Sequence, residues 1–458
     1  MAIVSSTLDR DRLPFNASEL PEPAELVVAQ VGPRRYPSPL RGGFVSDGPG
    51  VLVSSNPTVA AGAQSGVQAA FEEAGPRAQL FVDPQSATAA IVTCGGLCPG
   101  LNDVIHALVN TLHGLYGCRR VLGFRYGFAG LVGDPRHPPL PLTPEGVEGI
   151  THHGGTLLGT SRGPQDPARM VDALQELGVD MLFCVGGDGT LRGASALAAE
   201  IAARGAEIAV VAVPKTIDND IYWVERCFGF ATAVEEAVRA VAAAHAEARS
   251  AWHGVGVVKL MGRHSGFIAA HAALASGCVN FCLVPEQPFS LSGPGGLLDA
   301  LERRLSDRGH AVVVVAEGAG QELLGARGDA RDASGNRRLG DIGVFLRDEL
   351  ARGLDERGLE PTVKYLDPSY AIRSLTANAF DAEFCAVLAQ HAVHAALAGR
   401  TDMVVGYWHH HFTHLPIRLA AARRLRLDLA SREWQRVLQR TGQPARLIGT
   451  TAADGAVR

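Results

Sequence analysis

Eight short apolar runs, AAIVTC, RVLGFRYG, MLFCVGG, IAVVAVP, GVGVVKLMG, FCLVPE, AVVVVAEG and TVKYLD, recur between Ala89 and Asp367. None shows the polar alternation of a strand with one wet face. Several are separated by stretches with helical spacing: IHALVNTLHGLYG, MVDALQELG, SALAAEIAARG, FIAAHAALASG and GLLDALERRLSDRG. A strand apolar on both sides must be covered on both faces, and helices alternating with strands supply that cover through crossover connections. The pattern therefore predicts an α/β fold built on parallel sheets.

The Ala-rich stretch TAVEEAVRAVAAAHAEARSA (232–251) predicts one long helix bridging two such sheets. It separates a first lobe, 86–235, from a second, 236–373. NAFDAEFCAVLAQHAVHAALAG then leads back to the first lobe, giving 374–458 as its return segment, with DMVVGYW and a basic helical tail. Residues 1–85, rich in Pro, Gly and Ser with little periodicity, read as an N-terminal extension with some local structure.

Net charge is −5, so no basic field draws nucleic acid, and an anionic substrate needs a local cluster of cations. No apolar run approaches the roughly 20 residues of a membrane helix. The start MAIVSSTLDRDRLPF has no cationic region followed by an apolar stretch, so no signal peptide is expected and the cytoplasm is the default. The eight Cys lie mostly inside apolar runs. Cys94 with Cys98 and Cys278 with Cys282 have metal-like spacing, but buried thiols in a reducing compartment are the plainer reading.

Ligands of open parallel sheets bind beyond the carboxyl ends of the strands, and nearly every strand here ends in a polar cluster. AAIVTC runs into GGLCPGLN, a Gly-rich turn before a helix whose backbone amides suit a phosphate. MLFCV runs into Gly186-Gly187-Asp188-Gly189-Thr190; glycines admit a polyphosphate and Asp188 can hold the Mg²⁺ that neutralises it, against the plain alternative of a helix cap. VVAVPKTIDND (210–220) brings Lys215, Thr216, Asp218 and Asp220 to a strand end. Asp218 and Asp220 alternate and would share a face of extended backbone. One carboxylate there can take the proton of an alcohol attacking a γ-phosphate, while the other orients the site; an Asx-type turn is the bland alternative.

Only three of the 42 basic side chains are Lys: Lys215, Lys259 and Lys364. In so Arg-rich a chain, a compact ammonium at a strand end points to phosphate contact. Lys259 precedes Met261-Gly262-Arg263, and Lys364 opens KYLDPSYAIR, which ends in Arg373. The Arg fork suits a sugar phosphate. Glu317, closing VVVVAEG, can accept from sugar hydroxyls, and Arg162 in GGTLLGTSRG can span donor phosphates. His409–His411 with His414 invite a zinc reading, but no acidic or Cys ligand lies among them and an exposed strand end is expected instead.

Together GGLCPGLN, GTLLGTSRG, GGDGT, PKTIDND, MGRHSGFIA, AEGAGQ and KYLDPSYAIRS resemble, in order, the motifs of the 6-phosphofructokinase family, most closely its ATP-dependent plant and trypanosome branch. The resemblance runs from about Ile91 to Arg373. It implies two Rossmann-like lobes with the active site between them and Mg²⁺-dependent transfer from ATP to fructose 6-phosphate in glycolysis. It places Asp218 as proton acceptor for the 1-hydroxyl, with Asp220 and Arg162 catalytic beside it. Thr216, Ile217, Met261, Gly262, Arg263, Glu317 and Tyr370, Ala371, Ile372 and Arg373 would hold the sugar phosphate. Gly96, Arg162, Gly163, Gly187, Asp188, Gly189 and Thr190 would cradle ATP, with Asp188 on the metal. A homo-oligomer, tetramer or dimer, is the family expectation.

Two departures from the bacterial pattern bear on the reading. Lys215 is typical of pyrophosphate users, which usually carry Asp where this chain has Gly189; Gly189 with Lys215 is the combination of the ATP-dependent branch, so ATP is expected, with pyrophosphate as the alternative donor. Gly254 stands where bacterial enzymes use an Arg that reaches a neighbouring subunit.

Overall fold

The computed structural model describes residues 20–54, 69–133, 136–325, 331, 335 and 337–448. The N-terminal stretch that bears on a signal peptide lies outside that set. In the two larger sheets Pro49–Leu52 (β1) and Ala70–Glu73 (β2) come first. Thr88–Thr93 (β3), Arg120–Phe124 (β4), Leu140–Pro141 (β5), Met181–Gly186 (β6) and Ala209–Pro214 (β7) follow. Gly254–Leu260 (β8), Phe281–Leu283 (β9), His310–Ala316 (β10) and Thr362–Leu366 (β11) make a second group. Met403–Trp408 (β12) and His411–Pro416 (β13) close the series. All eight apolar runs are strands.

A nine-stranded sheet has the order β1-β2-β13-β12-β7-β6-β3-β4-β5, and a four-stranded sheet the order β9-β10-β8-β11. The second is parallel throughout. The first is parallel from β12 to β4, as the apolar runs predict, with antiparallel strands added at both margins. At one margin the reversal comes from a hairpin. Trp408 pairs with His411, and the two residues between them, His409 and His410, have φ of 48° and 66°. Two successive positive φ values make the type I′ turn that matches strand twist, and His is among the side chains that tolerate it.

The histidine run is therefore mostly a turn, and His414 departs from the exposed strand end expected of it. His414 is fully buried, its Nδ1 2.9 Å from Glu72 Oε1. Glu72 also receives Arg77 Nη2 at 2.7 Å and Arg400 Nε at 3.0 Å. Burial pushes its carboxyl pKa up, but His414, Arg400 and Arg77 together hold it below the ordinary value. Removing one partner of a buried ionic cluster leaves the others uncompensated. Glu72→Ala should lose about 3–5 kcal/mol of stability, read as a lower denaturant midpoint; an unchanged midpoint would show that the cluster contributes nothing.

Glu72 lies in the segment before residue 85, which thus supplies a sheet edge its composition gave no sign of. Phe71 packs edge-on against Trp223 and Trp408, centroids 6.0 and 5.9 Å away. Trp408 Nε1 donates to Val53 O at 3.0 Å.

The α-helices of six residues or more are Leu101–Asn110 (α1), Pro167–Glu176 (α2), Asp188–Ala203 (α3), Phe230–Arg249 (α4) and Phe267–Ser276 (α5). Leu297–Arg308 (α6), Ile342–Asp355 (α7), Ser369–Ser374 (α8), Ala379–Leu397 (α9) and Arg432–Thr441 (α10) follow. Helix α7 is absent from the expectations above. Asp341 caps it by accepting from Gly343 N and Val344 N, and Ile342, Leu346, Leu350 and Leu354 bury one face.

Helix α4 packs on β8, β10 and β11, and α9 on α1 and β7. A Cβ on Gly254 would lie 2.0 Å from the Ala248 carbonyl oxygen, so β8 can start under the end of α4 only as glycine. Alternate residues of β8 feed two cores, Val258 and Leu260 one and Val255 and Val257 the other. That two-sided burial is why the run carries no polar alternation. The eight cysteines are free thiols, seven of them buried. Among the described residues no helix is long and apolar enough to cross a membrane.

Candidate active site

Strands β3, β6 and β7 are adjacent and level: Thr93 lies opposite Val185, and Gly186 opposite Pro214. From β3 the chain goes out to β4 on one side and returns through β6 and β7 on the other. Such a reversal opens a crevice at the carboxyl ends of the strands.

The loop after β3 is stitched to the segment before residue 163. Gly95 N donates to Ser161 O at 3.0 Å, and Thr160 Oγ1 to Gly95 O at 2.6 Å. This brings the Arg162 guanidinium against Gly96, where an added Cβ would sit 3.3 Å from its Nη2. Gly163, at φ 101°, turns the chain away. Lys215 reaches across from β7 and donates from Nζ to Gly96 O at 2.6 Å. It is buried, which pulls its pKa down. Its ammonium braces the glycine loop from below.

The loop after β6 starts α3. Gly187 caps the helix and Asp188 is its first residue. Thr190 is buried, its amide donating to Gly187 O at 2.8 Å. A Cβ on Gly189 would meet nothing within 4 Å.

The loop after β7 is a turn rather than the extended backbone expected. Asp218 N donates to Thr216 Oγ1 at 3.1 Å, and Thr216 Oγ1 to Asp220 Oδ1 at 2.9 Å. Asn219 between the aspartates has φ 52° and is fixed by Cys227 N and Glu225 O. Asp218 Oδ1 is buried with no hydrogen-bond partner. Burial first, then the charges of Asp220 and Glu317, push the Asp218 pKa well above the ordinary carboxylate range. A carboxylate so destabilised is a strong candidate to accept a proton.

The second sheet meets this loop. Ser265 Oγ donates to Asp218 O at 3.2 Å. Glu317 N bonds Leu260 O at 2.8 Å and Gly318 N bonds Gly262 O at 3.1 Å, which sets Glu317 beside Met261, Gly262 and Arg263. Burial raises the Glu317 pKa, opposed by Arg263, Lys259 and Arg373. On α8 the Arg373 guanidinium lies 5.0 Å over the Tyr370 ring, and Tyr370 is 81% exposed. Ala371 is exposed, but Ile372 is buried in the core, as Ile217 nearly is, so neither isoleucine offers much side chain to a ligand.

The three Lys do not share a role. Lys215 is at the loops; Lys259 pairs with Asp341 at 3.2 Å and Asp367 at 2.8 Å; Lys364 is exposed and paired with Glu247.

Two side chains at the site were not foreseen. Arg424, from the basic run RRLR, has Nη2 3.2 Å from Asp188 Oδ2 and Nη1 3.7 Å from Asp220 Oδ2. His264 faces it; burial and the guanidinium groups of Arg424, Arg263 and Arg426 push its pKa down to about 4, so it is neutral near pH 7. A run of Arg in a tail reads as solvated surface, and no local spacing ties residue 424 to residue 188.

Among the described residues no three His, Cys, Asp or Glu gather as a metal cage. Magnesium keeps several waters and is typically bound by one or two carboxylates with substrate phosphates. Asp188 beside the open space at Gly189 fits that mode.

The phosphofructokinase family profile matches residues 88–396. The chain belongs to the phosphofructokinase family. Over 448 residues it is 48% identical to the ATP-dependent 6-phosphofructokinase of Amycolatopsis methanolica, covering 94% of this chain and 97% of that one. It is 49% identical over 373 residues to the ATP-dependent 6-phosphofructokinase of Trypanosoma brucei brucei, covering 81% of this chain and 76% of that one. Among solved structures, the pyrophosphate-dependent phosphofructokinase of Marinobacter aquaeolei superposes with a TM-score of 0.64 at 20% identity, over 77% of this phosphofructokinase and 91% of that chain. At that identity the likeness speaks for the fold.

Proposed function

We propose that the chain is an ATP-dependent 6-phosphofructokinase that transfers the γ-phosphoryl group of ATP to the 1-hydroxyl of fructose 6-phosphate. The observation that carries the reading is Asp218, a half-buried residue whose Oδ1 is buried and unpartnered where the loops of the two sheets meet. Asp218 takes the hydroxyl proton as the sugar oxygen bonds to phosphorus and the bond to the ADP oxygen breaks. Asp220, tied to Thr216, holds the turn that aims it. Arg162 faces the donor phosphates beside Gly96, Gly163 and Gly187–Thr190, and offsets charge that develops in transfer. Arg263, Glu317, Tyr370, Ala371 and Arg373 hold the sugar and its 6-phosphate, with Met261, Gly262 and Thr216 shaping the wall and the buried Ile217 and Ile372 supporting it from behind.

Mg²⁺ arriving with ATP, held by Asp188, would neutralise phosphate charge. Gly189 favours ATP, since an added side chain there would point into open space that a nucleotide's phosphate chain can fill. The donor lobe is 86–235 with 374–420, and the sugar lobe 236–373; the tail beyond residue 423, expected to stay with the donor lobe, packs on the sugar lobe instead. We place the enzyme in the cytoplasm as a homo-oligomer, a reading that sedimentation would check.

A coupled assay supplied with ATP and then with pyrophosphate tests the assignment. Turnover of fructose 6-phosphate with ATP, and at least about a hundredfold lower kcat/KM with pyrophosphate, is expected, a gap of about 2.7 kcal/mol in transition-state stabilisation. A preference for pyrophosphate would overturn the donor, and no turnover with either would overturn the function.

A further inference from the structure

Beyond Ala420 the chain leaves the nine-stranded sheet and crosses to the other one. Arg423 donates to the Tyr222 hydroxyl, and its guanidinium sits 4.2 Å over that ring. Arg424 bridges with Ile221, and Leu425 N donates to Asp220 O at 2.9 Å. Two residues on, Leu427 N donates to Glu286 Oε1 at 2.8 Å, the oxygen that also takes Gly266 N at 3.0 Å. Leu425 and Leu427 are buried. Helix α10 then packs on α5 and β9, and Gln443 Oε1 accepts from Cys282 N at 2.6 Å. The segment Arg423–Leu427 is thus a strap pinned at one end to the turn that carries Asp220 and at the other to the second sheet.

On this strap the Arg424 guanidinium spans Asp188 and Asp220, the carboxylate assigned to the metal and the one that braces Asp218. Arg192, the other cation on Asp188, is 2.9 Å from Oδ1 on the same helix and 60% exposed, so it moves aside at little cost. Arg424 is less exposed, at 28%, and has backbone anchors on both sides. A permanent positive charge at that distance opposes a divalent cation at the same oxygen, and the opposition is strong where solvent is partly excluded.

We propose that Arg424 is a positioning residue that takes turns with the divalent cation at Asp188. In the free enzyme it holds Asp188 and Asp220 in place; when the metal–nucleotide arrives it gives up Asp188, which loosens the strap and makes donor occupancy felt at the second sheet. The proposal rests on the phosphotransfer reading of the site for Asp188 as the metal-holding residue, but its test does not need turnover.

The test titrates Mn²⁺ alone, without nucleotide, into the wild-type chain, Arg424→Gln and Arg424→Lys, and follows amide hydrogen exchange over 421–428 with and without Mg²⁺–ADP. Arg424→Gln should bind Mn²⁺ about tenfold tighter or more, and Arg424→Lys, which keeps the charge, should stay near wild type. In the wild type, Mg²⁺–ADP should speed exchange of the Leu425 amide about threefold or more, and ADP without metal should not. A purely structural Arg would move neither Mn²⁺ affinity nor metal-dependent exchange. Mn²⁺ affinity unchanged or weaker in Arg424→Gln overturns the proposal. If that variant does not fold, or Mn²⁺ binding is below detection in every protein, the wild-type exchange decides: identical rates with and without Mg²⁺–ADP overturn it. Failure to phosphorylate fructose 6-phosphate with ATP would instead remove the functional reading and leave the Mn²⁺ result standing as a property of Asp188.

Discussion

Asp218→Asn should cut kcat by about a thousandfold while ADP affinity stays within about threefold, because the carboxamide keeps the shape and loses the base. The carboxylate belongs to the turn after β7 and not to the glycine loops themselves, so donor binding and proton transfer are carried by different residues. Loss of activity through unfolding is distinguishable in advance. The Asp218 pKa is raised by burial first, then by Asp220 and Glu317. Between its unfolded and folded values the native chain therefore binds more protons than the unfolded one, and stability falls as pH rises through that window. At neutral pH the unfolded carboxyl is ionised and folding must protonate it, which works against folding, so Asp218→Asn should melt at or above the wild-type temperature. The acid limb of kcat/KM for fructose 6-phosphate should lie above the ordinary carboxylate range and vanish in the variant. Wild-type turnover in Asp218→Asn would end the assignment of the base.

Gly189→Asp should reduce kcat/KM for ATP by about a hundredfold or more. The backbone accepts the new side chain, since nothing lies within 4 Å of its Cβ, so the fold is expected to persist and Tm to shift little. What changes is charge: a carboxylate next to Asp188 faces the nucleotide's phosphates, and like charges set together cost several kcal/mol. Donor kinetics with ATP, alongside melting of the free enzyme, check this. Undiminished ATP use would mean that Gly189 does not set the donor.

The parallel sheets and the three strand-end loops were legible because each was a local pattern. Apolar runs without alternation announced β3, β6 and β7, the first two closed by glycine, and rare Lys215 pointed to the loop it braces. Helix α7 carries an equally local signal, a capping Asp341 followed by Ile342, Leu346, Leu350 and Leu354 at helical spacing. The hairpin at His409 and His410 was not readable as a turn, since Asn-Gly, not His-His, is the usual signal for two positive φ values. Asp218 and Asp220 are brought near each other by a turn through Asn219 rather than by strand alternation. Arg424 was out of reach for a different reason. Its meaning lies in a contact 236 positions away, and nothing nearby in the chain encodes that.

The edge strands of the larger sheet set a constraint on how the chain comes to be made. Glu72 and His414 touch across 342 positions, and β2 has no β13 to lie against until almost the whole polypeptide has left the ribosome. At about 5–20 residues per second that wait lasts roughly 20–70 s, during which the first segment offers unpaired backbone and a bare Phe71 to its surroundings. Such late closure makes for slow maturation, and it predicts that nascent chains halted before residue 411 would be held by chaperones while their second half is already native-like.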